Sequence, residues 1–211
     1  MESGAASGHQ GPLGPRFKEA LAWTIELHDT QPRKGSETPY AAHLLSVAAL
    51  VLEGGGDEDQ AIAGLLHDAA EDQGGQPTLD EIRRRFGDRV TRIVRGCTDS
   101  LGDAQQRKPM WRPRKQAHLR ELEGADADLR LVYSADKIHN IRDTLTGLHR
   151  DLAHGGDGSK VWGLFGKPVE DTLWYYRTVT EVFRRAGGSP LQDELERQLA
   201  ALHVAAGVQP A

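Results

Sequence analysis

The run Leu65-Leu66-His67-Asp68-Ala69-Ala70-Glu71-Asp72 carries the most information in this chain, and the rest is read outward from it. It closes an apolar, helix-like segment over 57–72 that also holds Ile62, and then presents one histidine and three carboxylates within six positions. On a continuous helix, residues three and four apart share a side, so His67, Asp68 and Glu71 converge. An imidazole, a ligand carboxylate and a spare acid then lie within reach of one divalent ion. The plainer alternative is a solvated helix end, although acids at a C-terminus oppose the helix dipole.

Outward from this run the pattern remains helical. Phe17, Leu21, Ile25 and His28 recur at helical spacing until the stretch 31–39 breaks the helix. The segment 40–53 is apolar at Leu44, Val47, Ala48, Val51 and Leu52 and stops at three glycines, Gly54 to Gly56. Thr78 to Glu81 reads as a capping box for a short helix ending at Phe86, and Asp88 as the cap of the next. Later helices are predicted over 111–122, 127–148, 169–185 and 190–204, the last with Ser189 as N-cap and Pro190 at the first helical position. No alternating β-branched run reaches strand length, so the expectation is an all-α fold. Residues 1–15 and 207–211 read as tails and 16–206 as one domain. The glycine-rich stretch 154–160 has no assignable role.

Composition narrows the functional classes. Lys plus Arg total 26 against 31 Asp plus Glu, a formal charge of −5. That balance argues against a nucleic-acid polymer or an anionic membrane as partner. The single cysteine, Cys97, excludes an internal disulfide framework and a Cys-rich zinc site. No apolar run approaches the ~20 residues of a membrane helix, and the first fifteen residues lack the apolar stretch of a signal peptide. The expectation is a soluble, cytoplasmic protein. Trp174, Tyr175 and Tyr176 on one late helix exceed what one face buries, which leaves a homo-oligomer open.

A metal pocket around His67 and Asp68 needs donors from other helices. His43 lies on the helix bearing Val47 and Leu50, and Asp136 lies in Ser134-Ala135-Asp136-Lys137-Ile138-His139-Asn140. A charged Asp136 among Leu129, Leu131, Val132 and Ile138 is expensive to bury unless a cation is present. Two His plus two Asp leave open positions for water and substrate oxygens, and such mixed ligation suits Mn²⁺, Fe²⁺, Co²⁺ or Zn²⁺ better than Ca²⁺. A lone histidine on an apolar helix is more often a satisfied core residue. The case rests on the combination across three helices. Lys137 and Asn140 place a cation and an amide near the ion, and Ser46, three residues after His43, would face the same pocket or simply pack. Arg33 and Lys34 offer a stacking guanidinium and a phosphate-seeking ammonium, or an ordinary exposed loop. Arg107, Lys108, Arg112, Arg114 and Lys115 form a second basic cluster, read either as a phosphate grip or as a solvated helix start.

The order His43…His67-Asp68…Asp136 resembles the HD-domain metal-dependent phosphohydrolases, and more narrowly the hydrolase domain of the RelA/SpoT alarmone enzymes and the small alarmone hydrolases. The matching text is Gln31-Pro32-Arg33-Lys34-Gly35, Thr38-Pro39-Tyr40-Ala41-Ala42-His43, the run His67 to Asp72, Phe86-Gly87-Asp88-Arg89-Val90 and Ala135-Asp136-Lys137-Ile138-His139-Asn140. The likeness implies a compact multi-helix bundle. It further implies one ion, usually Mn²⁺, held by His43, His67, Asp68 and Asp136, with Glu71 and Asp72 positioning and activating the attacking water. Arg33 would pack on a guanine base, Lys34 would meet a phosphate, and Lys137 and Asn140 would lie beside ribose and pyrophosphate. The implied substrate is a small phosphorylated nucleotide, guanosine 3′,5′-bis(diphosphate) or its pentaphosphate relative, losing its 3′-pyrophosphate. The 63 residues after Leu148 are too few for a synthetic domain. The alternatives are an HD-type enzyme acting on another nucleotide, including the 2′-phosphate of NADPH, and a module that senses a nucleotide without cleaving it.

Overall fold

A computed structural model describes residues 13–101 and 110–207. Eleven helices run in chain order among them: α1 (Pro15–Leu27), α2 (Ala41–Glu53), α3 (Glu58–Leu66), α4 (Ala69–Asp72), α5 (Gln76–Phe86), α6 (Asp88–Cys97), α7 (Trp111–Leu122), α8 (Ala127–Ala153), α9 (Ser159–Gly163), α10 (Val169–Arg185) and α11 (Gln192–Ala205). No strand occurs among the described residues; a lone antiparallel bridge pairs Pro32 with Pro39 and closes the loop that carries Arg33 and Lys34. The fold is all-α, as the periodicity implied.

α2 and α3 pack on each other and both pack on α8. Their facing residues, among them Val47, Val51, Ile62, Leu65, Leu66 and Ile138, are essentially solvent-free and form one core. Gly64 permits this approach, because a Cβ there would sit 3.2 Å from the Ala48 Cα. With backbones this close, His43 near the start of α2 and His67 just past the end of α3 are brought side by side. α8, at 27 residues and so about 40 Å long, runs beneath both and carries Asp136 to the same place. Asp126 caps it, accepting from the Leu129 amide at 2.9 Å.

Several predicted boundaries are corrected. The helix expected over 57–72 is two: α3 stops at Leu66, and His67 and Asp68 form a turn before α4. The cause is tertiary. The Gly64 carbonyl accepts from His67 Nδ1 at 2.9 Å and the Leu65 carbonyl from Thr24 Oγ1 of α1 at 3.3 Å. These buried helix-end acceptors are thus satisfied without further helix. Thr78 caps nothing: it lies inside α5, with Oγ1 donating to the Gln73 carbonyl, while Glu81 pairs with Arg84 and Arg85. The capping box belongs instead to Asp57 and Gln60 at the head of α3. Asp88 occupies the first turn of α6, and Gly87 precedes it at the cap. α8 extends to Ala153, beyond the predicted 148. α11 begins at Gln192, two residues late, because Ser189 Oγ accepts from the Leu191 amide and donates to Ser134. α1 starts at Pro15, one residue before the predicted domain start; the predicted tails, over residues 1–12 and 208–211, lie outside the described residues.

Asp128 clips three elements at the far end of α8. It accepts from Arg89 Nε and Nη2, both at 2.9 Å, from Arg92 at 3.0 Å and from Gln60 at 3.1 Å. The Arg89 hydrogen bonds, and secondarily those of Arg92, outweigh burial and hold this carboxyl below its ordinary 3.8. A depressed carboxyl stabilises the fold fully above its unfolded value and loses that contribution as pH falls through the folded one. Asp128→Asn is therefore expected to lower the melting temperature by about 2–4 °C at pH 7, for a loss of about 1 kcal/mol. The gap from the parent should shrink as thermal melts are taken below pH 4; a gap constant down to pH 2 would contradict the assignment.

Candidate metal centre and substrate cleft

His43, His67, Asp68 and Asp136 meet at one buried point. His43 Nε2 lies 3.3 Å from Asp136 Oδ1 and 3.7 Å from Asp68 Oδ2, while His67 Nε2 lies 3.1 Å from Asp68 Oδ2 and 3.6 Å from Asp136 Oδ1. The donor atoms of His43, His67 and Asp68 all fall within 4.8 Å of one another. Both imidazoles are 1 % exposed, yet neither Nε2 has a hydrogen-bond partner among the described residues.

The outer nitrogens explain why. His67 Nδ1 faces the Gly64 carbonyl, an acceptor only, so Nδ1 carries a proton and Nε2 is the nitrogen turned toward the carboxylates. His43 Nδ1 lies 2.8 Å from His139 Nδ1. Burial, then the neighbouring His43 and Arg33, push His139 down to about 4, so its ring is neutral at physiological pH and the two Nδ1 atoms share one proton between them. Two buried ring nitrogens thus face two carboxylates. Among protein groups alone, burial works against an imidazolium at His67, but Asp68 and Asp136 outweigh it and push that ring above its usual value; at His43 burial prevails and the pKa falls. A divalent cation satisfies all four groups without any such protonation, and this donor set fits one.

The remaining bonds of both carboxylates are filled by named neighbours. Asp136 accepts from Lys137 Nζ and Asn140 Nδ2, and burial of its charge is outweighed by Lys137 and the two imidazoles, which hold it far below the usual carboxylate range. Tyr40 Oη donates to Asp68. Glu71 and Asp72 lie on α4, one short turn from the ligands. Arg114 stands 3.7 Å from Glu71, and Gln31 donates through Nε2 to Asp72 at 2.9 Å while its Oε1 accepts from Gln73 Nε2 at 2.7 Å. Arg114 and its neighbour Lys115 are both held by the buried Asp99 side chain.

Beside the centre opens a cleft of about 770 Å³, lined in part by Arg33, Lys34, Tyr40, Asn140, Lys167 and Tyr176. Arg33 donates to Asn140 Oδ1 at 3.0 Å and to Asp143 at 2.8 Å, so the amide that braces Asp136 also braces the guanidinium. The structure brings Arg33, Lys34 and Asn140 into this cleft. Lys137 sits just behind, over the Tyr133 ring. Ser46 does not line the cleft; its hydroxyl turns back onto the Ala42 carbonyl at 2.8 Å. Of the basic cluster, Arg112 pairs with Asp171 and stacks on Trp174, and Arg107 and Lys108 lie outside the described residues. The stretch 154–160 contributes His154 to the outer end of the cleft. Tyr175 and Tyr176 are buried, with Trp111 of α7 packed edge-on against Trp174 and Tyr175.

Comparison with known proteins places this geometry. A family model described as the HD domain matches residues 20–162. The chain belongs to the HD-domain family. HD-domain hydrolases bind a divalent metal, in keeping with the four donors above. Among curated HD relatives, the guanosine-3′,5′-bis(diphosphate) 3′-pyrophosphohydrolase MESH1 of Xenopus tropicalis is 37 % identical over 128 residues, which is 59 % of this chain and 67 % of the relative. The human MESH1 is 34 % identical over 136 residues, covering 63 % and 72 %. The 3′-pyrophosphohydrolase of Aquifex aeolicus is 34 % identical over 134 residues, covering 64 % of this chain but 18 % of its own length. In three dimensions, a structure titled as a metazoan ortholog of SpoT that hydrolyzes ppGpp superposes with a TM-score of 0.66 at 24 % identity, covering 93 % of this chain and 98 % of that one. A Listeria monocytogenes protein superposes at 0.60 and 26 % identity, covering 76 % and 97 %.

Sequence reading missed His139, Tyr40, Gln31, Asp99 and Lys167 as members of this region. Ring pairing of His139 with His43 joins positions 96 apart, and no local spacing announces it. Because outer-sphere partners set ligand tautomer, His139→Phe is expected to weaken Mn²⁺ binding by about 10–100-fold. His139→Gln, which retains an acceptor, should recover most of the loss. Titration calorimetry with Mn²⁺ reads this directly; equal affinities for parent and His139→Phe would remove the role.

Proposed function

We propose that the protein is a metal-dependent phosphohydrolase that removes the 3′-pyrophosphate of guanosine 3′,5′-bis(diphosphate) or its pentaphosphate relative, with residues 16–206 acting as one catalytic domain. The observation that carries this is the pair of buried, unpartnered Nε2 atoms facing two carboxylates beside a cleft that presents Arg33 and Lys34. The names borne by the MESH1 and Aquifex relatives supply the substrate class.

In this reading His43, His67, Asp68 and Asp136 hold one divalent ion. Mn²⁺ is proposed on the family resemblance and the mixed nitrogen and oxygen ligands. When bound, such an ion supplies Lewis acidity at the phosphoryl oxygen and lowers the pKa of adjacent water. Glu71 takes the proton of the attacking water as its oxygen bonds to the phosphorus carried by the 3′ oxygen. Asp72, held by Gln31, orients that water. The bond from phosphorus to the 3′ oxygen breaks, pyrophosphate departs, and the 3′ oxygen gains a proton. Arg33, fixed by Asn140 and Asp143, offers a planar face to the base, and Lys34 a point charge to phosphate. Asn140 and Lys137 keep Asp136 ionised and aligned. The reading sets the protein in the cytoplasm; among the described residues no helix is long and apolar enough to cross a membrane.

The test is turnover of a panel of phosphorylated nucleotides with Mn²⁺, Co²⁺ and Zn²⁺, followed by product identity. Guanosine bis(diphosphate) should yield GDP and pyrophosphate, and chelation should abolish it. Release of orthophosphate from NADPH or another nucleotide, with the guanosine compound intact, would replace this substrate; binding without turnover would make the protein a sensor. Glu71→Gln is expected to lower kcat by about 10²–10⁴-fold with metal content unchanged. Arg33→Ala should instead raise KM about tenfold or more, leaving kcat within a few-fold.

A further inference from the structure

His28 is the C-cap residue of α1 and is only 2 % exposed, a buried imidazole outside the four ligands. Its Nδ1 lies 2.7 Å from Gln31 Oε1, and that oxygen also accepts from Gln73 Nε2 at 2.7 Å. The Gln31 amide fits only this way round, because its other end meets Asp72 Oδ2 at 2.9 Å and a carboxylate oxygen calls for a donor. Oε1 therefore faces His28, and His28 Nδ1 carries a proton. The other ring nitrogen, Nε2, is buried without a hydrogen-bond partner among the described residues, so the bond to Gln31 is the polar contact that orients this ring.

The face of the same ring stacks on Tyr40, with centroids 5.2 Å apart and planes 23° apart. Tyr40 Oη donates to Asp68, and the Tyr40 ring meets His43 edge-on at 5.6 Å. The backbone between these residues is also fixed. The Tyr40 amide donates to the Gln31 carbonyl at 2.8 Å, the Gln31 amide to the His28 carbonyl at 3.1 Å, and the His28 amide to the Thr24 carbonyl at 3.2 Å. One imidazole thus acts in two directions: its edge reaches toward Asp72 through Gln31, and its face toward Asp68 through Tyr40. Asp72 is exposed, and an exposed carboxylate samples several rotamers unless its neighbours are themselves held. The amide that touches it is held by two donors, one of them His28.

We infer that His28 is a positioning residue that sets two parts of the reaction centre at once, the angle of Asp72 through the Gln31 amide and that of Asp68 through the Tyr40 ring. The inference rests on the proposed hydrolase reading, in which Asp72 orients the attacking water and Asp68 holds the ion.

Two variants of the full chain separate the arms. His28→Phe keeps a ring on Tyr40 and removes the donor to Gln31, whereas His28→Asn keeps a donor near the Nδ1 position and removes the stacked face. With guanosine bis(diphosphate) and saturating Mn²⁺, His28→Phe should lower kcat about tenfold with KM and calorimetric Mn²⁺ affinity within about threefold of the parent. His28→Asn should show the opposite pattern, Mn²⁺ affinity about tenfold weaker and kcat at saturating metal within about threefold. A residue that merely supports the fold would move both quantities together in both variants, and that result, or the absence of either loss, overturns the assignment. Gln31→Met, at a half-buried loop position, cuts the first arm without entering the core and should reproduce the kcat loss. Parent kcat in Gln31→Met overturns the inference even if neither His28 variant folds. The side-chain amide resonances of Gln31, assigned by their disappearance in Gln31→Met, give a readout independent of turnover. They should shift in His28→Phe and hold in His28→Asn. If the guanosine compound is left intact while these shifts and the Mn²⁺ affinities follow the expected pattern, the proposed substrate falls and the positioning role stands; amide resonances that stay put in His28→Phe overturn the role whatever the substrate.

Discussion

Two buried imidazole nitrogens facing two carboxylates, neither nitrogen hydrogen-bonded among the described residues, are an arrangement that protein groups alone leave incomplete, and the rest of the molecule is organised around it. Each of the four side chains needs an outer partner that fixes its proton and its angle, and each has one: Gly64 for His67, His139 for His43, Tyr40 for Asp68, and Lys137 with Asn140 for Asp136. Those partners come from α3, α8 and the residue before α2, so packing and chemistry are not separable here. The close approach at Gly64 that lets α2 touch α3 also sets the separation of the two histidines.

Around this centre, charge is arranged in shells of alternating sign. The carboxylates of Asp68 and Asp136 lie innermost, with Glu71 and Asp72 beside them. Outside stand Arg114, Lys115, Lys137 and Arg33, each tied to an acid. Buried ion pairs gain little net stability in proteins, because desolvation offsets attraction. Their repeated use here is better understood as orientation. Asp99 is 1 % exposed at its side chain and holds two cations in place while contacting neither cleft nor metal centre.

Element type could be read along the chain, and so could the four inward donors, because His43 and Asp136 sit where a helical face is otherwise apolar and His67-Asp68 directly follows the apolar end of α3. Helix ends were another matter. α3 stops at Leu66 because Thr24, about forty positions earlier, supplies a hydroxyl to its last turn, and no window around residue 66 contains that fact. Thr78 and Asp88 had the local signature of caps, yet glycines occupy the cap positions of α5 and α6. Tyr40, Gln31 and His139 entered the sequence reading only as motif text without a role, and Lys167 not at all, for a related reason. Their residue types are unremarkable in place, and only the pairing of segments far apart in the chain gives them partners that matter. Ser46 shows the opposite error, since correct helical spacing from His43 did not bring its hydroxyl to the cleft.

The loop bearing Arg33 is already in order before anything enters the cleft. A bridge between Pro32 and Pro39 closes it, Gly35 at φ 76° lies against Leu164, and the guanidinium is pinned by Asn140 and Asp143 with Tyr40 beneath. Immobilising a free arginine on association forfeits rotamer entropy, and this chain has met that loss during folding. A ligand arriving there finds a rigid wall in place of a searching side chain. Asp143 accordingly shapes encounter at a distance, through the freedom it withholds from its neighbour.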